Sequence, residues 1–166
     1  MKAQLTFLFD VERCVRCHAC EVACKVANDV EPGVRWRRVV SLWDGEYPDV
    51  RNRTVSLSCR HCGDPPCRSA CPTGAIEKRP EDGIVLVDRE KCIGCRACLD
   101  ACPFGVPQFG EDGRMQKCDM CAERLAQGLE PACVATCPAE ALRFGKVDEV
   151  SRFAAVRAAR RTLGKG

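Results

Sequence analysis

Cys92-Ile93-Gly94-Cys95-Arg96-Ala97-Cys98-Leu99-Asp100-Ala101-Cys102-Pro103 carries four cysteines at the spacing C-x2-C-x2-C-x3-C and closes on a proline. Three thiolates this near one another can each reach a different iron of one cubane. Pro103 has no N–H and biases Cys102 towards extended geometry, so it stops the short helix that carries the fourth cysteine. In runs of this kind the first three cysteines hold one [4Fe-4S] cluster and the fourth holds its neighbour. Three more blocks accompany it: Cys14-x2-Cys17-x2-Cys20-x3-Cys24, Cys59-x2-Cys62-x4-Cys67-x3-Cys71 and Cys118-x2-Cys121-x11-Cys133-x3-Cys137. Pro72 and Pro138 close two of them, whereas Lys25 follows Cys24 and leaves that helix free to run on into Asn28. The sixteen cysteines are the ligand complement of four [4Fe-4S] clusters, with none left over.

Two other uses of cysteine compete. Disulfide frameworks belong to secreted chains, and Leu5-Thr6-Phe7-Leu8-Phe9 is too short for the apolar core of a signal peptide and runs into Asp10. Zinc sites bring two separated C-x2-C pairs, often with histidine, rather than a third and fourth cysteine close behind. A zinc-binding interaction module is therefore the alternative function. His18 and His61 lie inside cysteine blocks, where each reads either as a loop histidine or as a hydrogen-bond donor that tunes a cluster.

Composition agrees with a cofactor-filled chain. The hydrophobic fraction, 46% of 166 residues, is inflated by cysteine, and six Phe, two Trp and one Tyr make a thin core. Metal binding and folding are expected to be coupled. A filled site adds about −2, so four take the formal +3 to about −5. The Lys and Arg residues thus read as compensation for cluster charge and as docking contacts, not as a nucleic-acid surface. No segment approaches the roughly 18 apolar residues of a membrane span. No Gly-rich nucleotide loop, nucleophile elbow or spare cysteine suggests a catalytic residue, so an electron carrier needs a partner that has a substrate site.

An internal repeat organises the chain. Thr6-Phe7-Leu8-Phe9-Asp10 precedes Cys14 at the same spacing as Ile84-Val85-Leu86-Val87-Asp88 precedes Cys92, and Cys71-Pro72-Thr73-Gly74-Ala75-Ile76 parallels Cys137-Pro138-Ala139-Glu140-Ala141-Leu142. The passage from Cys71 through the turn Arg79-Pro80-Glu81-Asp82-Gly83 to Cys92 resembles the middle of a two-cluster bacterial ferredoxin. Blocks two and three then form an inner unit over 53–110, and blocks one and four an outer unit over 1–52 and 111–149 that encloses it. The fold class expected is α+β: two nested ferredoxin-like units, with small sheets and short helices around four clusters, plus a C-terminal helix over 150–166. The sites that follow are Cys14, Cys17, Cys20 with Cys137; Cys118, Cys121, Cys133 with Cys24; Cys59, Cys62, Cys67 with Cys102; and Cys92, Cys95, Cys98 with Cys71. Pairing of adjacent blocks, one with two and three with four, is the alternative.

Residues 31–58 read as a hairpin insert. Val34 to Leu42 is the first strand, Asp44 to Asp49 the turn, and Thr54 to Ser58 the return. Arg35, Arg37 and Arg38 around Trp36 suggest either a docking patch or a solvated basic face. After Lys146 a helix is expected, capped by Asp148, with Val150, Phe153, Ala154 and Val156 as its apolar face and Gly164 as its stop.

The motifs Cys59-x-His61-Cys62-x-Asp64-Pro65-x-Cys67, Cys92-Ile93-Gly94-Cys95-Arg96, Lys117-Cys118-Asp119-x-Cys121 and Pro131-x-Cys133-x3-Cys137-Pro138 make the sequence similar to the iron-sulfur subunit of DMSO reductase. The resemblance runs from Phe7 to Glu149. It extends to electron-transfer subunits of polysulfide, thiosulfate and tetrathionate reductases, formate dehydrogenases and tungsten-dependent aldehyde oxidoreductases. It implies a non-catalytic subunit that relays single electrons between a molybdenum or tungsten pyranopterin subunit and a second partner: a flavoprotein, a soluble carrier or a quinone-linked anchor. The short segment between blocks one and two favours a soluble complex of the tungsten aldehyde oxidoreductase type, while the sixteen thiols point to the cytoplasm, with periplasmic export on a partner's signal as the alternative.

Overall fold

In every cysteine block the residue before the second cysteine is left-handed: Arg16, His61, Gly94 and Met120 have φ of 60°, 47°, 70° and 63°. Alternation of right- and left-handed backbone turns successive N–H groups into one concavity, an arrangement that suits anionic sulfur. The turn recurs although only Gly94 adopts it without a steric cost. The computed structural model describes residues 3–164 and builds the rest of the fold around these four turns.

A helix follows the turn in each block: α1 (Ala19–Ala27), α2 (Pro66–Ser69), α3 (Ala97–Asp100) and, after the longer insert of block four, α5 (Ala132–Ala135). That insert carries the further helix α4 (Ala122–Ala126). The fourth cysteine was expected on the helix. In three blocks it instead lies one residue past the C-cap, and its N–H closes the last turn at 3.0–3.2 Å in the same way each time: Cys71 to Arg68, Cys102 to Leu99, Cys137 to Val134. Each is followed by the proline that ends the helix. Block one lacks that proline, and α1 runs through Cys24 to Ala27 with Asn28 as its C-cap.

The strands form four antiparallel pairs. β1 (Leu5–Phe9) pairs with β8 (Leu142–Lys146) in the register Phe7↔Phe144, bringing together strands that are more than 130 residues apart in sequence. β4 (Ile76–Lys78) and β5 (Val85–Val87) form a hairpin across the expected turn, with Gly83 N–H donating to Arg79 O at 3.0 Å. The insert hairpin pairs β2 (Arg38–Asp44) with β3 (Arg51–Leu57), so its first strand begins and ends later, and its return strand earlier, than the sequence suggests. Residues 34–37 form no strand because Val34 and Arg37 turn into the interior. A fourth, two-residue pair, β6 (Gln108–Phe109) with β7 (Met115–Gln116), was not anticipated.

Cysteine sulfur is part of the core. One buried group joins Cys67 and Cys98 to Ile76, Val85 and Met115; another joins Cys59 and Cys118 to Val106. The last helix, α6, spans Val147–Thr162 with Lys146 as N-cap. It starts earlier than expected, and Asp148 lies inside the first turn rather than capping it. The Glu149 carboxylate supplies the cap instead, accepting from the Lys146 N–H at 3.0 Å. Of the expected apolar face only Val150 is buried; Phe153 and Val156 stay half exposed, and the ion pair of Arg157 with Asp10 at 3.0 Å helps to hold the helix to the domain. No described helix is long and apolar enough to cross a membrane.

Gly94 differs from its three counterparts in a second respect, since a Cβ there would stand 2.6 Å from Gly113 O. Gly94→Ala should cost about 1–3 kcal/mol through left-handed strain and that contact. Arg16→Gly, at the equivalent turn of block one, should lose no stability. Thermal unfolding of the two anaerobically prepared variants checks the contrast.

Candidate metal centres

Three pockets are each lined by four cysteines. The first is lined by Cys14, Cys17 and Cys20 from block one and Cys137 from block four. The second gathers Cys59, Cys62, Cys67 and Cys102. The third gathers Cys71, Cys92, Cys95 and Cys98. The other four cysteines are buried: Cys24 on α1 faces Cys121 and Cys133, and Asn28 Nδ2 lies 3.9 Å from Cys24 Sγ and 3.7 Å from Cys121 Sγ. Cys118 stands near Cys24. Among the described residues no three Cys, His, Asp or Glu side chains converge tightly enough for a single metal ion. The four-cysteine pockets suit a larger, multinuclear group.

The backbone already directs donors at these sulfurs. His61 N–H and Met120 N–H, at the left-handed turns, reach Cys59 Sγ and Cys118 Sγ at 3.4 Å. Met115 N–H and Ala141 N–H reach Cys92 Sγ and Cys137 Sγ at 3.3 Å. Burial raises the Cys71 thiol, but hydrogen bonds from the Thr73 hydroxyl and the N–H groups of Thr73, Ala75 and Ile76 outweigh it and leave its pKa lowered. At three deeper cysteines burial wins. It pushes Cys24 up to about 12 and Cys98 up to about 11, helped in each case by neighbouring thiolates, and it drives Cys118 well above the ordinary thiol value. Thiolates gathered in this way require a bound cationic core to remain deprotonated at neutral pH.

Three buried or half-buried cations lie among these sites. Lys117 donates to Val85 O and Cys118 O beside Cys59 and Cys67, and Lys78 donates to Cys62 O at 2.8 Å. Arg37 overturns the expectation of a docking patch or solvated face, being only 2% exposed. Burial works against its charge, while the thiolates of Cys133, Cys118, Cys20 and Cys24 work for it. Its neighbours behave differently: Arg35 is exposed near Glu21, and Arg38 donates to Gly105 O at 2.7 Å. A signal for this was present in β3 and its exit. Thr54, Ser56 and Ser58 are the buried residues there while Val55 and Leu57 are half exposed, because the inward face meets sulfur and charge rather than hydrocarbon.

The two histidines separate. His18 is exposed and pairs with Glu21. His61 is 1% exposed, and its Nδ1 accepts from Val85 N–H at 2.9 Å, so Nε2 carries the proton. Burial, with Lys117, Lys78 and Arg37 nearby, holds its pKa well below the usual value and keeps it neutral. His61 Nε2 and Arg37 Nε and Nη2 are buried donors without a protein acceptor. Orphaned donors beside crowded thiols fit an anionic, sulfide-rich group.

This combination defines an iron-sulfur protein that carries four [4Fe-4S] clusters on a ferredoxin-like α+β fold. Residues 50–147 match the family described as 4Fe-4S dicluster domain, and residues 11–27 match a 4Fe-4S binding domain. The sequence is 45% identical over 161 residues to the B subunit of the anaerobic dimethyl sulfoxide reductase of Escherichia coli K12, covering 92% of this protein and 78% of that subunit. It is 40% identical over 186 residues to the formate dehydrogenase iron-sulfur subunit of Wolinella succinogenes, covering 98% and 92%. It is 47% identical over 151 residues to the thiosulfate reductase electron transfer subunit PhsB of Salmonella typhi, covering 88% and 78%. This protein belongs to the DMSO reductase family of iron-sulfur subunits. A zinc module is thereby replaced by the cluster reading.

With cysteines in the core and few aromatics to replace what they bind, removal of iron and sulfide should unfold most of the chain. Far-UV circular dichroism before and after anaerobic treatment with chelator and oxidant reads this as loss of most of the helical signal.

Proposed function

We propose that this chain is the non-catalytic electron-transfer subunit of an oxidoreductase complex whose catalytic partner carries molybdenum or tungsten bound to pyranopterin. The single observation that carries the reading is the set of three four-cysteine pockets together with the buried fourth set, in a protein similar over 88% or more of its length to the three relatives above. A [4Fe-4S] cluster supplies one-electron redox chemistry when bound. The chain's own residues hold the thiolates, direct N–H groups at them and exclude water. Cys17 and Cys95 are exposed, whereas Cys24, Cys59, Cys118, Cys121 and Cys133 are buried. That contrast supports a relay with two separate surfaces of exchange, one towards the catalytic partner and one towards a flavoprotein, a carrier or a membrane anchor.

The ligand sets proposed are those expected from the repeat, with Cys137 crossing to block one, Cys24 to block four, Cys102 to block two and Cys71 to block three. The pocket linings favour this pairing over pairing of adjacent blocks, and the β1–β8 and β4–β5 pairs favour an outer unit enclosing an inner one. The cytoplasm is the proposed compartment, since sixteen thiols must stay reduced until iron is inserted.

Anaerobically prepared protein should hold close to sixteen irons and as many labile sulfides, four per cluster; twelve or fewer in fully loaded protein would count against the proposal. Cys24→Ser should damage the cluster of Cys118, Cys121 and Cys133, read as the loss of one EPR signal. Damage confined to the cluster of Cys14, Cys17 and Cys20 would refute the crossing.

The isolated subunit should turn over no substrate, and in the complex with its copurified partner all four clusters should change oxidation state during turnover in freeze-quench EPR. Metal analysis of that complex decides the finer assignment: tungsten supports an aldehyde oxidoreductase type and molybdenum a DMSO reductase type.

A further inference from the structure

Arg37 stands just before β2 with the guanidinium 4.8 Å from the centre of the Phe7 ring, which closes one side of it to water. Nη1 donates to Ser56 Oγ at 3.0 Å, and that hydroxyl in turn lies 3.6 Å from Cys20 Sγ. Because Ser56 Oγ accepts from the arginine, its own proton is free for the sulfur. The thiolates acting on the guanidinium come from two different sets: Cys133, Cys118 and Cys24 from one, and Cys20 from the other. Nε and Nη2 are buried with no acceptor. A fixed cation this deep, with two donor nitrogens unspent, is costly unless anionic groups lie against it.

We propose that Arg37 is a positioning residue shared by two centres, raising the reduction potentials of the cluster held by Cys24, Cys118, Cys121 and Cys133 and, through Ser56, of the cluster held by Cys14, Cys17, Cys20 and Cys137. The inference rests on the pairing proposed above. A one-electron reduction adds a negative charge to each centre, and a nearby cation stabilises the more negative state. Removal of that cation therefore lowers both potentials. The thiolates that act on Arg37 all belong to these two sets and none to the inner ones, so the potentials of the inner centres should not follow.

The test is an EPR-monitored redox titration of the full chain, prepared anaerobically, with iron content measured alongside. Arg37→Gln should lower the potentials of two of the four clusters by at least a tenfold change in the reduction equilibrium, about 59 mV for a one-electron couple. The other two should stay fixed. Arg37→Lys, which keeps the charge but not the fork, should recover most of the shift. Ser56→Ala should lower one potential only. Unchanged potentials in fully loaded Arg37→Gln, an equal shift of all four, or a Lys variant that falls as far as the Gln variant would overturn the proposal. If Arg37→Gln fails to load, Ser56→Ala decides, since it leaves the arginine in place: a fall in one potential supports the role and no fall overturns it. A failure of the pairing itself appears separately, in which EPR signal Cys24→Ser removes.

Discussion

Sulfur charge gathered in a small volume is the constraint to which the rest of this fold answers. Desolvation and mutual repulsion both act against sixteen thiolates in a protein of this size, as the raised values at Cys24, Cys98 and Cys118 record. The protein opposes them in two ways. Backbone N–H groups are turned towards sulfur, among them those of the left-handed His61 and Met120, and a few cations are buried where sulfur is densest. Ordinary hydrophobic packing comes third, in small groups such as Ile76, Val85 and Met115, themselves interleaved with cysteine.

That ordering explains features that would be faults in another protein. Non-glycine residues in the left-handed region cost about 1–3 kcal/mol each, yet Arg16, His61 and Met120 all adopt it. The strain is borne because the turn sets the direction of the thiol and the amides together. Polar residues point inward from β3, and a guanidinium lies inside without a carboxylate partner, because the groups they face are not hydrocarbon.

Much of this was legible in the sequence. The blocks, the matched strands before Cys14 and Cys92, the turn at Arg79 to Gly83, and the run-on of α1 past Cys24 all follow from spacing and from where proline stands. What escaped did so for local reasons. β6 and β7 are two residues each, too short for alternation to register. Three neighbouring arginines read alike, although only Arg37 is drawn inside, and its partners Ser56 and Cys20 are distant in sequence. Asp148 looks like a helix cap, but Glu149 takes that role from the next position along. Only Gly94 among the four left-handed turns advertises its conformation by residue type.

The pairing of β1 with β8 has a consequence for biosynthesis. A ribosome delivers the polypeptide from its amino end, so Cys14, Cys17 and Cys20 emerge first, yet the pocket they line also needs Cys137, more than a hundred residues later. The Cys59 pocket, by contrast, closes once Cys102 has emerged, and the β4–β5 hairpin spans only residues 76–87. The earliest cysteines made are thus among the last to be enclosed. During that interval they are the thiols most open to oxidation or to a wrong metal, which makes the order of translation a hazard for Cys14, Cys17 and Cys20.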